Sequence, residues 1–250
     1  MTRKKAFLIH FGLSFLIVST CFLIILAVWY PGYYFRIFAA SEVLQVLIGV
    51  DLVLGPSLTL FLFRPGKPGL RFDLSVVAIL QICALVYGLQ VIYQERPRFT
   101  VFSIDRFEVL AQKDVDMSRV DPGLLSDKLW NEPVLVMTRT PQDQRERDKV
   151  VEETLFEGKP DIQYRPELWL PYAEATEEIF SRARPVAELL EKSPAVQAEV
   201  NLFRKINVSG ERFVYPPIMG KLDVFMLVLD SDTKLPVGLI NQDPWQRVES

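Results

Sequence analysis

Asp51 stands in the middle of "VLQVLIGVDLVLGPSLTLFLF", residues 43–63. An acid in such apolar company has two uses. It can be a packing device, protonated or hydrogen-bonded to neighbouring helices of its own chain, or it can face an intramembrane partner or ion path. Asp51, Gly55 and Thr59 are spaced i, i+4 and i+8, so they share one helix face. Gln81, Ala84 and Gly88 are spaced i, i+3 and i+7, again on one face. Small residues let helices approach closely in lipid, and polar ones hydrogen-bond across the contact. Pro56 has no N–H, so the carbonyl of Leu52 should lose its helical donor, and the Gln81 amide is placed to supply one. Asp51, Gly55, Pro56, Thr59, Gln81, Ala84 and Gly88 are therefore the candidate partner-binding residues. With no second membrane carboxylate or basic residue at matching depth, a proton or ion relay is not expected.

The elements that would hold these residues are membrane spans. Residues 6–29 and 74–93 are long apolar runs, and at about 1.5 Å per residue each reaches across a hydrocarbon core of about 30 Å with some tilt. Residues 43–63 span despite the acid. Asp costs about 2.5–3.5 kcal/mol at a helix centre, each Leu, Ile, Val or Phe returns about 0.3–0.6, and more than ten of these surround it. The first run is too long for a cleaved signal peptide and has no A-x-A-like site after it. Arg3, Lys4 and Lys5 precede it, and Arg64, Lys67 and Arg71 lie between the second and third runs, whereas the first loop has only Arg36. Basic short loops stay in the cytoplasm, so the N-terminus is expected inside and everything after Tyr93 outside. Trp29, Tyr30, Tyr33 and Tyr34 cluster where the outer interface should lie. His10 falls near the inner end of its span, an interfacial position rather than a catalytic one.

Composition divides the chain at the same place. Residues 1–93 hold seven Lys/Arg and three acids; the remainder holds 21 and 28. The expected architecture is an α-helical membrane domain of three transmembrane helices, residues 1–93, followed by a periplasmic α+β domain, residues 94–250, with a mainly antiparallel sheet. Strands are expected over 96–110 and 133–140 and in a hairpin around "DSDTK"; helices are expected from Thr140-Pro141 to about Glu157, and over about 171–183, 185–192 and 194–206, the last capped by Ser193.

Residues 94–250 contain no His and no Cys. That excludes Ser-His-Asp and Cys-His nucleophilic sites and the usual zinc ligand sets there, and a disulfide framework with them. No Walker loop, G-x-G-x-x-G or G-x-S-x-G is present. "DVDMSRVD", 114–121, lacks the glycine and glutamate of a calcium loop and reads as a solvated turn. No cofactor and no metal is expected, and "RPRF", 96–99, suits lipid headgroups rather than nucleic acid. Tyr164, Trp169, Tyr172 and Trp245 are candidates for a protein-binding patch, with core packing the more ordinary use.

"VDLVLGPSLTLFLF", "RFDLSVVAILQICALVYGLQVIYQERP", "VFSIDRFEV" and the terminal "GLINQDPW" resemble the TfpX/TfpZ family of type IV pilin accessory proteins. The likeness runs over almost the whole chain. It implies an inner-membrane protein of a piliated Gram-negative bacterium, needed to assemble a cognate pilin into fibres, with other pilus assembly proteins as further partners. It brings no catalytic residues. A non-enzymatic chaperone is the expectation: the spans shelter the pilin helix and the α+β domain touches its head. The alternative is a membrane-tethered periplasmic enzyme acting on pilin or envelope polymers, which would need converging carboxylates in residues 94–250.

Overall fold

The structure, a computed structural model, describes residues 2–38, 40–125, 133–139, 143–190, 199, 212–221 and 223–245. The chain forms two compact units, Met1–Pro31 with Ala39–Arg96, and Gly32–Phe38 with Pro97–Ser250.

Three helices of the first unit are long and apolar enough to cross a membrane: Arg3–Trp29, Leu44–Leu62 and Leu70–Gln94. The first consists of α1 (Arg3–Ile24) and a π-helical turn, Ile25–Trp29. It ends at Tyr30 because Pro31 disfavours helical backbone in the residue before it. The Tyr30 hydroxyl, fully buried, then donates to the carbonyl of Ile92 at 2.7 Å and ties the ends of two spans together. α2 is the single turn Tyr34–Ile37. The second span consists of α3 (Ala40–Ile48), a π-helical turn Gly49–Leu54, and α4 (Gly55–Leu62). α5 (Leu70–Gln94) follows a tight loop in which Gly66 and Gly69 take positive φ and Lys67 pairs with Asp73 at 2.6 Å. Leu16, Phe61, Leu80 and Tyr87 are exposed, the outward apolar surface that a lipid solvent requires.

The second unit is built on a mixed sheet. Its described strands are β1 (Pro97–Ser103), β2 (Arg106–Ala111), β3 (Val134–Thr138), β4 (Trp169–Pro171), β5 (Arg184–Pro185), β6 (Phe213–Tyr215), β7 (Pro217–Met219), β8 (Val224–Asp230) and β9 (Pro236–Ile240). Their order is β4-β3-β1-β2-β7-β8-β6-β5, with β9 on β8. A mainly antiparallel sheet was the expectation; instead β1–β3 and β2–β7 are parallel pairings among antiparallel ones. Both join strands far apart in sequence, for which crossover connections make parallel pairing possible.

The single strand expected over 96–110 is a hairpin, β1 and β2 joined through Ile104 and Asp105. Ile104 adopts φ of +60°, unusual for a β-branched residue, so the turn carries no Gly or Asn to announce itself. The hairpin around "DSDTK" forms as β8 and β9. The helix expected up to Glu157 is α6 (Gln144–Phe156), capped by Asp143, whose side chain accepts from the Arg145 amide, and Gly158 follows it with positive φ. The expected cap Thr140 and Pro141 lie outside the described residues. α7 (Tyr172–Arg182) and α8 (Ala187–Leu190) follow; the helix expected over 194–206, with its cap Ser193, lies outside the described residues apart from Glu199.

Alternation along the strands builds the core. Phe99 and Val101 of β1 pack with Leu110, Val134, Val136 and Trp169; Phe213, Tyr215, Met226, Val228 and Ile240 form a second cluster. Residues 32–38 belong to this unit. The Tyr34 hydroxyl pairs with Thr100 Oγ1 at 2.8 Å, and the carbonyl of Ile37 accepts from the Lys221 amide at 3.2 Å. Gly220 lets that carbonyl approach: a Cβ there would stand 2.6 Å from the Ile37 oxygen.

Candidate functional site

Of the seven candidate residues, Asp51, Gly55 and Gln81 meet directly between the second and third spans, whereas Thr59 meets the first. Asp51 is 5 % exposed, Thr59 4 % and Gln81 9 %. Gly55 lies flush against the Gln81 amide, where a Cβ would come within 1.9 Å of Nε2. The close approach expected of small residues is thus made here by glycine alone. Gly88 plays a looser version of the part, since a Cβ there would stand 3.0 Å from the flexible tip of Leu47. Ala84 is half-buried.

Gln81 does not serve Leu52. Its Nε2 lies 3.3 Å from the carbonyl oxygen of Asp51 and 3.4 Å from Asp51 Oδ1. The π-helical turn explains the shift. Gly55 N–H bonds to the Val50 carbonyl, five residues back, so the ladder runs one residue wider than in an α-helix. In that register the carbonyl facing the hydrogen-less nitrogen of Pro56 is that of Asp51, not Leu52. The residue pair read from the sequence is right in kind and wrong by one position.

His10 is not at an open interface. Its Nδ1 lies 2.6 Å from Thr59 Oγ1, which bonds the first span to the second. Among the described residues no basic side chain pairs with Asp51, and no donor reaches Asp51 Oδ2 or Gln81 Oε1, both buried. Asp51 borders two hollows. One, of about 140 Å³, is lined by His10, Ser14, Asp51 and Gln81 among apolar neighbours. The other, of about 320 Å³, is an apolar groove along the second and third spans, lined by Val46, Leu47, Val50, Ala84, Tyr87 and Gly88, with Asp51 at its floor.

The second unit carries a larger cleft, about 880 Å³, between α6 and the sheet. Val150, Val151 and Leu155 of α6 line it with Ile104, Ile162, Glu108 and Asp161. α6 buries no side chain; it is held by Arg165, which bonds Glu153 and Thr154 at 2.8 Å each. Glu108 accepts from Gln163 at 3.2 Å, and burial pushes its carboxyl above the ordinary glutamate range. Sequence reading missed this cleft, because its walls come from β1, β2, α6 and the segment around 162, which no local spacing links.

The aromatic candidates divide. Trp169 and Tyr172 are core residues and Tyr164 packs on the core, whereas Trp245 is exposed beneath Arg106 at 4.9 Å. In "DVDMSRVD" the carboxylates of Asp114, Asp116 and Asp121 accept from the amides of Ala111, Ser118 and Gly123, so each closes a turn of its own chain. Among the described residues no group of three or more His, Cys, Asp or Glu side chains could hold a metal.

Fold and site together define a protein with, among the described residues, three membrane-length helices and a mixed α+β unit, the buried Asp51 held between helices. The chain is 29 % identical over 240 residues to the fimbrial assembly proteins of serogroups E1 and I from Dichelobacter nodosus, covering 92 % of each chain in both cases. It is 33 % identical over 109 residues to the fimbrial assembly protein of serogroups C1 and C2 from the same organism, which covers 43 % of this chain and 83 % of that one. The chain belongs to this family of fimbrial assembly proteins. No family model matches it, and no solved structure does.

Proposed function

We propose that the protein is an inner-membrane accessory factor of type IV pilus biogenesis, of the TfpX/TfpZ kind, that binds its cognate pilin and performs no catalysis. Its N-terminus is cytoplasmic and its α+β unit periplasmic. The observation that carries this reading is the likeness to fimbrial assembly proteins over 92 % of the chain. The groove between the second and third spans gives the reading a place. Ala84 and Gly88 make its wall shallow enough for a pilin's membrane helix to lie close, with Asp51 beside them. Small residues beside a polar group are what helix pairing in lipid uses, because apolar area alone gives no drive there.

A photo-crosslinker at Tyr87 or Val46 should capture the pilin in cells that assemble fibres. Capture only from positions on the opposite flank, such as Leu16, would refute the groove. Asp51→Leu should reduce co-purification of pilin from detergent while leaving the accessory protein itself folded.

The alternative, an enzyme acting on pilin or envelope polymers, draws on one observation: Glu108 and Asp161 share the cleft, with the Glu108 carboxyl raised by burial. A Glu108→Gln variant that abolishes fibres while keeping pilin binding would favour it. A variant with normal fibres removes it.

A further inference from the structure

We infer that the cleft of the second unit is a docking site for a short apolar segment of a partner protein that carries an acidic side chain. The inference deepens the reading of a pilin-binding factor and rests on it for the partner's identity: the segment belongs to the part of the pilin outside the membrane. At about 880 Å³ the cleft has the size of a ligand site. It exists because α6 buries none of its side chains. Arg147, Val150, Val151, Thr154 and Leu155 share one helix face and all line the cleft. Val151 is nevertheless 55 % exposed and Leu155 69 %. The helix is fastened near its two ends instead, by Arg139 on Glu146 and by Arg165 on Glu153 and Thr154. An exposed apolar stripe of this kind, rimmed by charge, marks a surface that another chain covers.

The charges of the cleft are sorted along it. Strand register sets Ser103 opposite Arg106, and Thr138 bonds Ser103 at 3.3 Å, so these residues mark the end at the β1–β2 turn. Arg182 donates to the Ile104 carbonyl in that turn. Arg147 follows Glu146, which is held by Arg139, the residue after Thr138. Three guanidinium groups therefore line the turn end. Glu108 lies about 7 Å further along β2, where it accepts from Gln163, and Asp161 stands beside that segment.

Each guanidinium has an exposed partner: Asp105 for Arg106, Glu178 for Arg182, and Gln144 for Arg147. Exposed pairs of this kind contribute little. A carboxylate that arrives with apolar neighbours displaces them, because those neighbours exclude water and strengthen the new attraction. Guanidinium groups grip a carboxylate through paired N–H donors. The apolar neighbours meet Val151, Leu155 and Ile104, the last 65 % exposed. The far end selects a peptide over a lipid. Glu108 and Asp161 are acceptors, which backbone N–H groups can satisfy and an acyl chain cannot.

The experiment places a photo-crosslinking residue at Val151 of the full-length protein in cells that assemble fibres. It should capture the pilin, and the crosslinked peptide should be an apolar stretch that includes or adjoins an Asp or Glu. Arg147→Glu should cut the capture several-fold and Arg147→Lys should keep most of it. Changing the mapped pilin acid to Lys should restore capture by Arg147→Glu, a rescue that a merely unfolded variant does not show. Capture at Tyr87 but not at Val151 overturns this inference and leaves the pilin-binding reading standing; capture at neither position overturns both. A lipid adduct at Val151, or pilin capture indifferent to Arg147→Glu, also overturns it. Should Arg147→Glu fail to fold, undiminished capture of a pilin whose mapped acid is changed to Ala overturns the charge pairing on its own.

Discussion

Gln81 Nε2 lies 3.3 Å from the backbone oxygen of Asp51, and the α-carbon of Gly55 is what leaves room for it. One glycine thus decides whether an amide on the third span can serve a carbonyl on the second. Gly55→Ala should destabilise the protein by about 1–3 kcal/mol, the usual cost of forcing extra volume into a packed contact. Gln81→Ala in the same chain should recover most of that loss, because the atoms the new methyl strikes are gone. Thermal unfolding of the two single variants and the double variant checks this; additive losses would show that the glycine matters for some other reason.

The carbonyl that Gln81 serves can be told apart from its neighbour. With carbon-13 placed at the Asp51 or the Leu52 carbonyl, Gln81→Leu should move the amide I band of the Asp51 label and leave that of Leu52 in place. The stability lost should be modest, about 1 kcal/mol, as for other hydrogen bonds between membrane helices.

Membrane-length runs are legible because hydropathy is additive along the chain, and the Asp51–Gln81 meeting is legible because helix spacing fixes which residues share a face. The one-residue shift from Leu52 to Asp51 is not, since it depends on a widened turn that residue types do not announce. The β1–β2 reversal escaped for a related reason. Ile104 takes a backbone conformation that its branched side chain disfavours, and apolar residues on either side read as one continuous strand. Parallel pairing of β1 with β3 and of β2 with β7 lies outside local pattern altogether, because it is chosen by the packing of distant segments.

Tyr172 anchors α7 by donating to the Lys234 carbonyl at 2.6 Å, and burial pushes its phenol up to about 12. The folded state therefore holds this proton after the unfolded chain has released it near pH 10. The stabilisation is full below that pH and is lost as pH rises from about 10 to about 12. Tyr172→Phe should lower stability at neutral pH by about 1 kcal/mol and flatten the alkaline decline, as read from unfolding midpoints across that window.

Asp230 behaves in the opposite sense. Its carboxylate, 1 % exposed, accepts from Arg212 Nε and Nη2 at 2.7 Å each and from the Asp232 amide at 2.8 Å. The Arg212 guanidinium holds the carboxyl below the ordinary aspartate range. Stability from this group is present above the unfolded value of about 3.8 and is lost as pH falls through the lower folded one. Arg212→Met should weaken the fold at neutral pH, where a buried carboxylate loses its partner, and should reduce the slope of stability against pH in acid. Denaturant midpoints from pH 5 downward measure both effects.

The placement of residues 32–38 inside the β-rich unit has a consequence for the order of events in the cell. Tyr34 leaves the ribosome dozens of residues ahead of Thr100, and Ile37 far ahead of Lys221. The short segment must wait while two more membrane-length stretches are synthesised. Only then do its mates arrive. The β-rich unit is therefore closed late: its earliest-made piece stands ahead of the second membrane-length helix, and the unit cannot be completed until Thr100 and Lys221 have been made.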